Sequence, residues 1–359
     1  MNMQNDKLEL QQEVWERYRN NLPRYLIGLS RHLQSQTMHT LTEKLNYGDL
    51  KLNYEPFFTL VGEEGCRLTE LADWLGISKQ SCNRTANQIK KGGYLVDRPD
   101  PSDGRAKILV MTDKGRTMVR QAYELGLELE RSFQMELGTK SYAELQKLLR
   151  CFCDKLELPK VRVDVDGIDG SEVLLASLLP RLSEYVMHRL MDLTKAKGHF
   201  GLKMSHGQVL SLIGLSGGRI QQIAKIQEVS KQAISAIAKE LDQLGYIRQS
   251  PDPQDARGVV LMFTDDGLNL LTDSVASLSD VDAELKSYLG ETGLDKLEAH
   301  AKQLYQYLHL EEEIFKPNIV GLSMGAGKNL HFLADSLKQQ LGEEGARVLA
   351  HLLISSSSQ

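Results

Sequence analysis

Ser78-Lys79-Gln80 returns 152 residues later as Ser230-Lys231-Gln232, and its neighbourhood returns with it. At the same offset Gly62 meets Gly214, Ala72 meets Ala224, Gly93-Tyr94 meets Gly245-Tyr246, and Pro99-Asp100-Pro101 meets Pro251-Asp252-Pro253. Asp103 and Arg105 meet Asp255 and Arg257, while Thr112-Asp113 and Gly115 meet Thr264-Asp265 and Gly267. No gap is needed from about Leu52 to Gly115, so the chain is a duplication. Upstream the match shifts: Leu22-Pro23-Arg24 pairs with Leu179-Pro180-Arg181, 157 residues on. A small length difference therefore sits in the loop after the first long helix, where it costs little. A chain of 359 residues suits two domains. The first is assigned to 1–158 and the second to 171–317. Between them, 159–170 is a linker bearing Pro, Gly and Asp without helical periodicity. The tail, 318–359, has no counterpart in the first copy.

Within the first copy, residues 8–46 carry apolar positions at helical spacing (Val14, Tyr18, Leu22, Leu26, Leu29, Leu33). Pro23 is expected to kink or restart that helix, and Pro180 its partner. Pro56 to Val61 reads as a short buried helix, and Leu68 to Leu75 as another, stopped by Gly76. Ser78 caps a third helix that runs to Lys91, where Gly92-Gly93 closes it. Leu95–Arg98 and Ala106–Met111 are expected strands, with Pro99 to Arg105 as the hairpin tip. Thr112 or Asp113 then caps a long helix, and another covers about Ser141 to Leu156. The second copy repeats this order to about Phe315. The expected fold is mainly α with small β-hairpin wings. Helix, turn, helix and hairpin together make a winged helix-turn-helix, whose second helix enters the major groove and whose hairpin reaches the minor groove.

The formal net charge of −5 argues against a nonspecific polyanion coat, but a local basic face is enough for a phosphate footprint. Four cysteines do not make a disulfide framework. Cys151 and Cys153 should point to opposite sides of their helix. With no apolar leader and no run of ~18 apolar residues, a soluble cytoplasmic protein is expected, nucleoid-associated when on DNA.

The stretch LTELADWLGISKQSCNRTANQIKKGGYLVDRPDPSDGRAKILVMTDKG resembles the MarR (multiple antibiotic resistance regulator) family. Its most specific part is Asp100-Pro101-x-Asp103-x-Arg105 followed by Thr112-Asp113-x-Gly115, which recurs from Asp252 to Gly267. The resemblance spans roughly residues 8–315. It implies a sequence-specific transcription regulator of the repressor kind. Members are usually homodimers of single-domain chains on near-palindromic operators, so two copies in one chain imply an intramolecular pseudo-dimer. One chain would then serve one operator, with recognition helices ~34–36 Å apart. The resemblance also allows release by a small aromatic effector, for which the residues identify no pocket.

On the first recognition helix Cys82, Ala86 and Ile89 fall at core spacing. Ser78, Lys79, Gln80, Ser81, Asn83, Arg84 and Asn87 are left outside as candidate DNA contacts. Arg suits guanine, Asn and Gln suit adenine, and Ser and Lys suit phosphate. On the second, Ile234, Ile237 and Leu241 fall at core spacing, leaving Ser230, Lys231, Gln232, Ser235 and Lys239. Arg84, where the family commonly carries an Arg, is replaced by Ala236. The local net charge is +4 over Ser78–Lys107 but 0 over Ser230–Val259, so the second half is expected to grip less strongly. In the wings Arg105, Lys107 and Arg257 are the candidate cations. Asp103 and Asp255 are expected to orient the Arg105 and Arg257 guanidinium groups by bidentate pairing. Cys82 is expected to be a buried, inert thiol.

Two other readings compete. A protein-interaction module could keep the fold without DNA binding, in line with the acidic balance and the neutral second half. An enzyme could be built on Gly321-x-Ser323-x-Gly325, with Asp335 and His351 following in order. That elbow needs a parallel βαβ sheet the sequence does not supply, so no enzyme is expected. Gly327-Lys328 lacks the rest of a phosphate loop, and the histidines lack metal-ligand spacing, so no cofactor or metal is expected. The tail is expected to form one or two amphipathic helices, with Leu330, Leu333, Leu337 and Leu341 on one face.

Overall fold

A computed structural model describes residues 13–62, 64–158, 174–214, 217–252 and 255–315, and of these 255–257, 313 and 315 in backbone only. The elbow at Ser323, the linker core and the tail lie outside the described residues.

Apart from a first and a last helix, the described residues of the two copies give the same order of elements. A first helix, α1 (13–19), ends at Asn20, and Asn21 caps α2 (Leu22–Glu43), its side chain accepting from the Arg24 N–H with Pro23 in the first turn. Pro23 thus restarts the helix, as its missing N–H allows. Next come α3 (Glu55–Val61), β1 (Cys66–Arg67), α4 (Leu68–Trp74), α5 (Lys79–Lys91), β2 (Leu95–Asp100), β3 (Asp103–Met111), α6 (Asp113–Leu137) and α7 (Thr139–Lys155). The second copy gives α8 (Leu175–Ala196), α9 (Met204–Leu210), β4 (Gly218–Arg219), α10 (Ile220–Ile226) and α11 (Lys231–Gln243). It continues through β5 (Ile247–Asp252), β6 (Asp255–Phe263), α12 (Asp265–Leu289), α13 (Glu291–Tyr307) and α14 (Leu310–Phe315).

Pro180 does not restart its helix: it lies inside α8. The start of that helix is held from outside, because Glu130 of α6 accepts the Ala176 N–H at 3.0 Å. Only one backbone bond is then forgone, near an end already anchored.

The wings are larger than the sequence pattern suggests. The hairpin strands extend to Asp100 and from Asp103, with a register shift between Pro99 and Asp100. A two-residue strand pairs on the other side, giving sheet orders β1-β3-β2 and β4-β6-β5. The registers correspond residue for residue: Leu95 faces Met111, and Ile247 faces Phe263.

Among the described residues three apolar cores are found. One lies among α3–α6 of the first copy and includes Phe57, Leu71, Cys82, Ile89 and Tyr94. A second, with Val209, Ile223, Ile234, Leu241 and Leu261, lies in the second copy. The third is built jointly, from Leu22, Leu26, Leu29, Phe133 and Leu149 of the first copy and Leu178, Leu182, Val281, Leu297 and Leu304 of the second. Residues Met1–Ile314 accordingly form one compact unit.

Carboxylates stitch the copies together at related positions. Glu130 receives Ala176, and its counterpart Asp282 receives Arg17 of α1. Glu144 of α7 pairs with Lys296 of α13 at 2.6 Å, and these two residues occupy equivalent places in the two copies. In a symmetric dimer such a position would face its own charge; here it faces the opposite one.

Candidate nucleic-acid interface

The turn between α4 and α5 is fixed locally. Gly76 takes a φ of 62°, the Ile77 N–H returns to the Ala72 carbonyl at 3.1 Å, and Ser78 Oγ accepts the Ser81 N–H at 3.2 Å. The second copy repeats the cap, Ser230 Oγ accepting the Ala233 N–H at 3.2 Å. The caps set the start, and so the phase, of each helix.

On α5, Cys82, Thr85, Ala86 and Ile89 are buried, while Ser78, Lys79, Gln80, Asn83, Arg84 and Asn87 are exposed and Ser81 is half-buried. These outward residues include one lysine, one arginine and three amides, and exposed Gln88 and Lys91 follow on the same helix, without a carboxylate among them. Asn87 donates to Asn83 at 3.4 Å. Lys90 is tied to Asp97 of β2 at 2.8 Å, which fastens the far end of α5 to the wing. The Cys82 thiol is buried, and burial pushes its pKa up, in keeping with an inert group.

On α11, Ile234, Ala238 and Leu241 are buried and Ile237 is only half-buried, so it is less a core residue than its spacing suggests. Ser230, Lys231, Gln232, Ser235 and Lys239 are exposed, as is Ala236 in the place of Arg84. The Lys90–Asp97 tie becomes Gln249 donating to Asp242 at 3.1 Å, so the fastening survives with one charge fewer.

In the first wing Arg105 and Lys107 are exposed. Asp103 does not orient the Arg105 guanidinium: its Oδ1 accepts the Arg105 backbone N–H at 3.1 Å, as turn aspartates do. A guanidinium is gripped instead by a buried carboxylate the sequence reading left out. Asp100 accepts from Ser102 N–H and Oγ, both at 2.7 Å, and from Arg67 Nε at 2.6 Å. The Ser102 hydrogen bonds, followed by Arg67, hold its carboxyl down to about 2. Arg219 grips Asp252 in the same way, Nε to Oδ2 at 2.6 Å. Each pair ties the short third strand to the hairpin tip and so sets where the wing points. The paired recurrence of Arg67 and Arg219 was the available signal. Of Asp255 and Arg257 only the backbone is described, Asp255 facing Asp252 across the turn.

Among the described residues no cluster of three or more metal-binding side chains occurs, and no helix is long and apolar enough to cross a membrane.

Helix, turn, helix and a three-stranded wing, twice over, define the winged helix-turn-helix class. Comparison with known proteins agrees: the MarR family model matches residues 57–106 and again 200–258. The HTH-type transcriptional regulator BilQ of Clostridioides difficile is 26% identical over 89 residues, which span 25% of this chain and 60% of that regulator. Among solved structures, MarR (apo form) from E. coli aligns at 20% identity and a TM-score of 0.32, covering 37% of this chain and 98% of that one. Streptococcus pneumoniae FabT, solved in complex with DNA, aligns at 18% identity and a TM-score of 0.29, covering 36% and 96%.

Proposed function

We propose that the chain is a double-stranded DNA-binding transcription regulator of the repressor kind, in which two MarR-like domains act as one intramolecular pseudo-dimer. The observation that carries this reading is the twofold presentation of a serine-capped helix with an exposed Lys, Gln and Ser face, each joined to a wing of the same register. Ser78, Lys79, Gln80, Ser81, Asn83, Arg84 and Asn87 would meet one half-site, with Arg105 and Lys107 at the adjacent minor groove. Ser230, Lys231, Gln232, Ser235 and Lys239, with Arg257, would meet the other. Asp103 then shapes its wing turn rather than touching DNA. The jointly built core and the complementary Glu144–Lys296 pair favour partnership within one chain.

Release by a small aromatic acid would call on one place. Arg181 Nη2 is buried without a hydrogen-bond partner, in the electrostatic reach of Glu55 and Cys153. Its counterpart Arg24 instead donates to the Tyr18 and Ser211 carbonyls at 2.8 and 3.1 Å. One effector per chain is the corresponding expectation.

Footprinting the purified chain on genomic fragments, followed by mass measurement of the complex, tests the reading. One chain across two adjacent major grooves supports it. Two chains per site, each using only α5, overturn the pseudo-dimer. The exposed Ala236 and the zero local charge over Ser230–Val259 favour a second reading, a protein-binding module, and absence of salt-dependent duplex binding would select it.

A further inference from the structure

The two copies differ systematically where the recognition helices are seated. In the first, Tyr54 donates to Gln88 of α5 at 3.1 Å, with Lys51 over the tyrosine ring, and Tyr47 donates to Gln121 of α6 at 2.8 Å. Residue for residue, the second copy replaces both tyrosine–glutamine pairs with histidine–carboxylate pairs. His206 meets Glu240 of α11 at 2.9 Å, with Lys203 on the same carboxylate, and His199 meets Asp273 of α12 at 2.9 Å. Two such replacements in one direction exchange phenols for imidazoles, whose rings can take up a second proton.

We propose that the seat of α11 is acid-sensitive, through His206, and that the seat of α5 is not. His206 is 1% exposed, and both its ring nitrogens are committed. Nδ1 accepts the Lys203 backbone N–H at 3.2 Å, which starts α9, so the neutral ring carries its proton on Nε2 and donates it to Glu240. A second proton must go on Nδ1, where it faces the Lys203 N–H, donor against donor. The ring then leaves that position, and α11 loses its hydrogen bond to α9.

The charged groups that face His206 are Glu240 from α11 and Lys203 from the preceding loop. From α8 the neighbouring contact is apolar, Met191 against Gly207. Gly207 takes the place of Glu55, so no second carboxylate is supplied from α9 itself. Glu240 already pairs with Lys203, so a charged imidazole has to share that carboxylate. A buried donor without an acceptor is the larger effect. His199 differs: its Nδ1 faces the Tyr246 hydroxyl at 3.1 Å, which can turn to accept, and Asp273 welcomes the charge, so acid leaves that link intact.

The test is amide hydrogen exchange on the full chain, without DNA, corrected for intrinsic rates, at pH 7.5 and 5.5. Its outcome is therefore independent of the DNA-binding reading. Protection of α11 amides is expected to fall by roughly three- to tenfold at the lower pH while α5 holds. His206→Tyr with Glu240→Gln should abolish the fall, and Tyr54→His with Gln88→Glu and Glu55→Gln should install one in α5. Equal responses of α5 and α11 overturn the proposal, as does a fall that survives His206→Tyr/Glu240→Gln. Should that variant not fold, an unresponsive α5 in Tyr54→His/Gln88→Glu/Glu55→Gln overturns it.

Discussion

At Arg84 the proposed difference between half-sites comes down to one guanidinium. It is exposed on α5, while Ala236 stands exposed at the matching place on α11. Arg84→Ala should weaken specific binding by about 1–3 kcal/mol and relax selectivity at one base pair. Lys231→Ala should weaken all duplexes alike and lower the salt slope by about one. A base-by-base operator scan by fluorescence anisotropy separates the two, and a flat response to Arg84→Ala rejects the assignment. Glu130 offers a prediction without DNA. It is 3% exposed, and burial holds its carboxyl up to about 7 despite hydrogen bonds from Tyr142 and the Ala176 N–H. Its folded pKa lies above its unfolded one, so the folded state binds more protons between about 4.3 and that value. Stability linked to Glu130 is complete below this window and lost as pH rises through it. Glu130→Gln keeps an acceptor and removes the titration. It should therefore raise the stability at pH 8 by an amount on the order of 1–3 kcal/mol, seen as a higher Tm, and change it little at pH 5. Equal shifts in calorimetry at both pH values would count against this account.

At the scale of elements, each wing leans on the helix that follows it. Thr112 and Thr264 cap α6 and α12, accepting from Gly115 and Gly267, and a Cβ at either glycine would overlap the carbonyl of Tyr94 or Tyr246. Gly115→Ala and Gly267→Ala should each cost about 1–3 kcal/mol by forcing that junction apart. Thermal unfolding checks this, and an unchanged Tm in both would show that the junction yields freely. These caps were legible in the sequence because a serine or threonine cap bonds within three residues. So was the duplication, and with it the order of elements. The third strand was not, since two residues carry no period. Nor was the Arg67–Asp100 grip, whose members lie 33 residues apart, and the turn role of Asp103 was mistaken for it. The His206–Glu240 and His199–Asp273 pairs stayed hidden for the same reason: helix phase alone does not reveal which neighbour a buried imidazole meets.

For the whole molecule, the shared core decides what can be separated. Leu22, Leu26 and Leu29 of α2 and Phe133 of α6 are buried with residues of α8, α12 and α13. A fragment of residues 1–158 would leave that apolar face uncovered, and Glu144 would meet Glu144 if two fragments paired. Ultracentrifugation should show such a fragment self-associating, more weakly at low than at high salt because the like charges are screened. Lys296→Glu in the full chain should weaken the join in the same sense, and adding Glu144→Lys should restore it. A monomeric, fully folded fragment would show that the first half needs no partner.

The same jointly built core bears on synthesis. As the chain leaves the ribosome, α2 is complete about 150 residues before α8, the second-copy helix it packs against. At ~5–20 residues per second, its leucines wait on the order of ten seconds or more for their cover. During that interval the nascent chain displays a long apolar stripe of the kind that chaperones hold and that neighbouring nascent chains can seize. Joining the copies in one chain fixes which surface arrives next: the first free partner is the second half of the same molecule, delivered at the high local concentration that a short tether maintains.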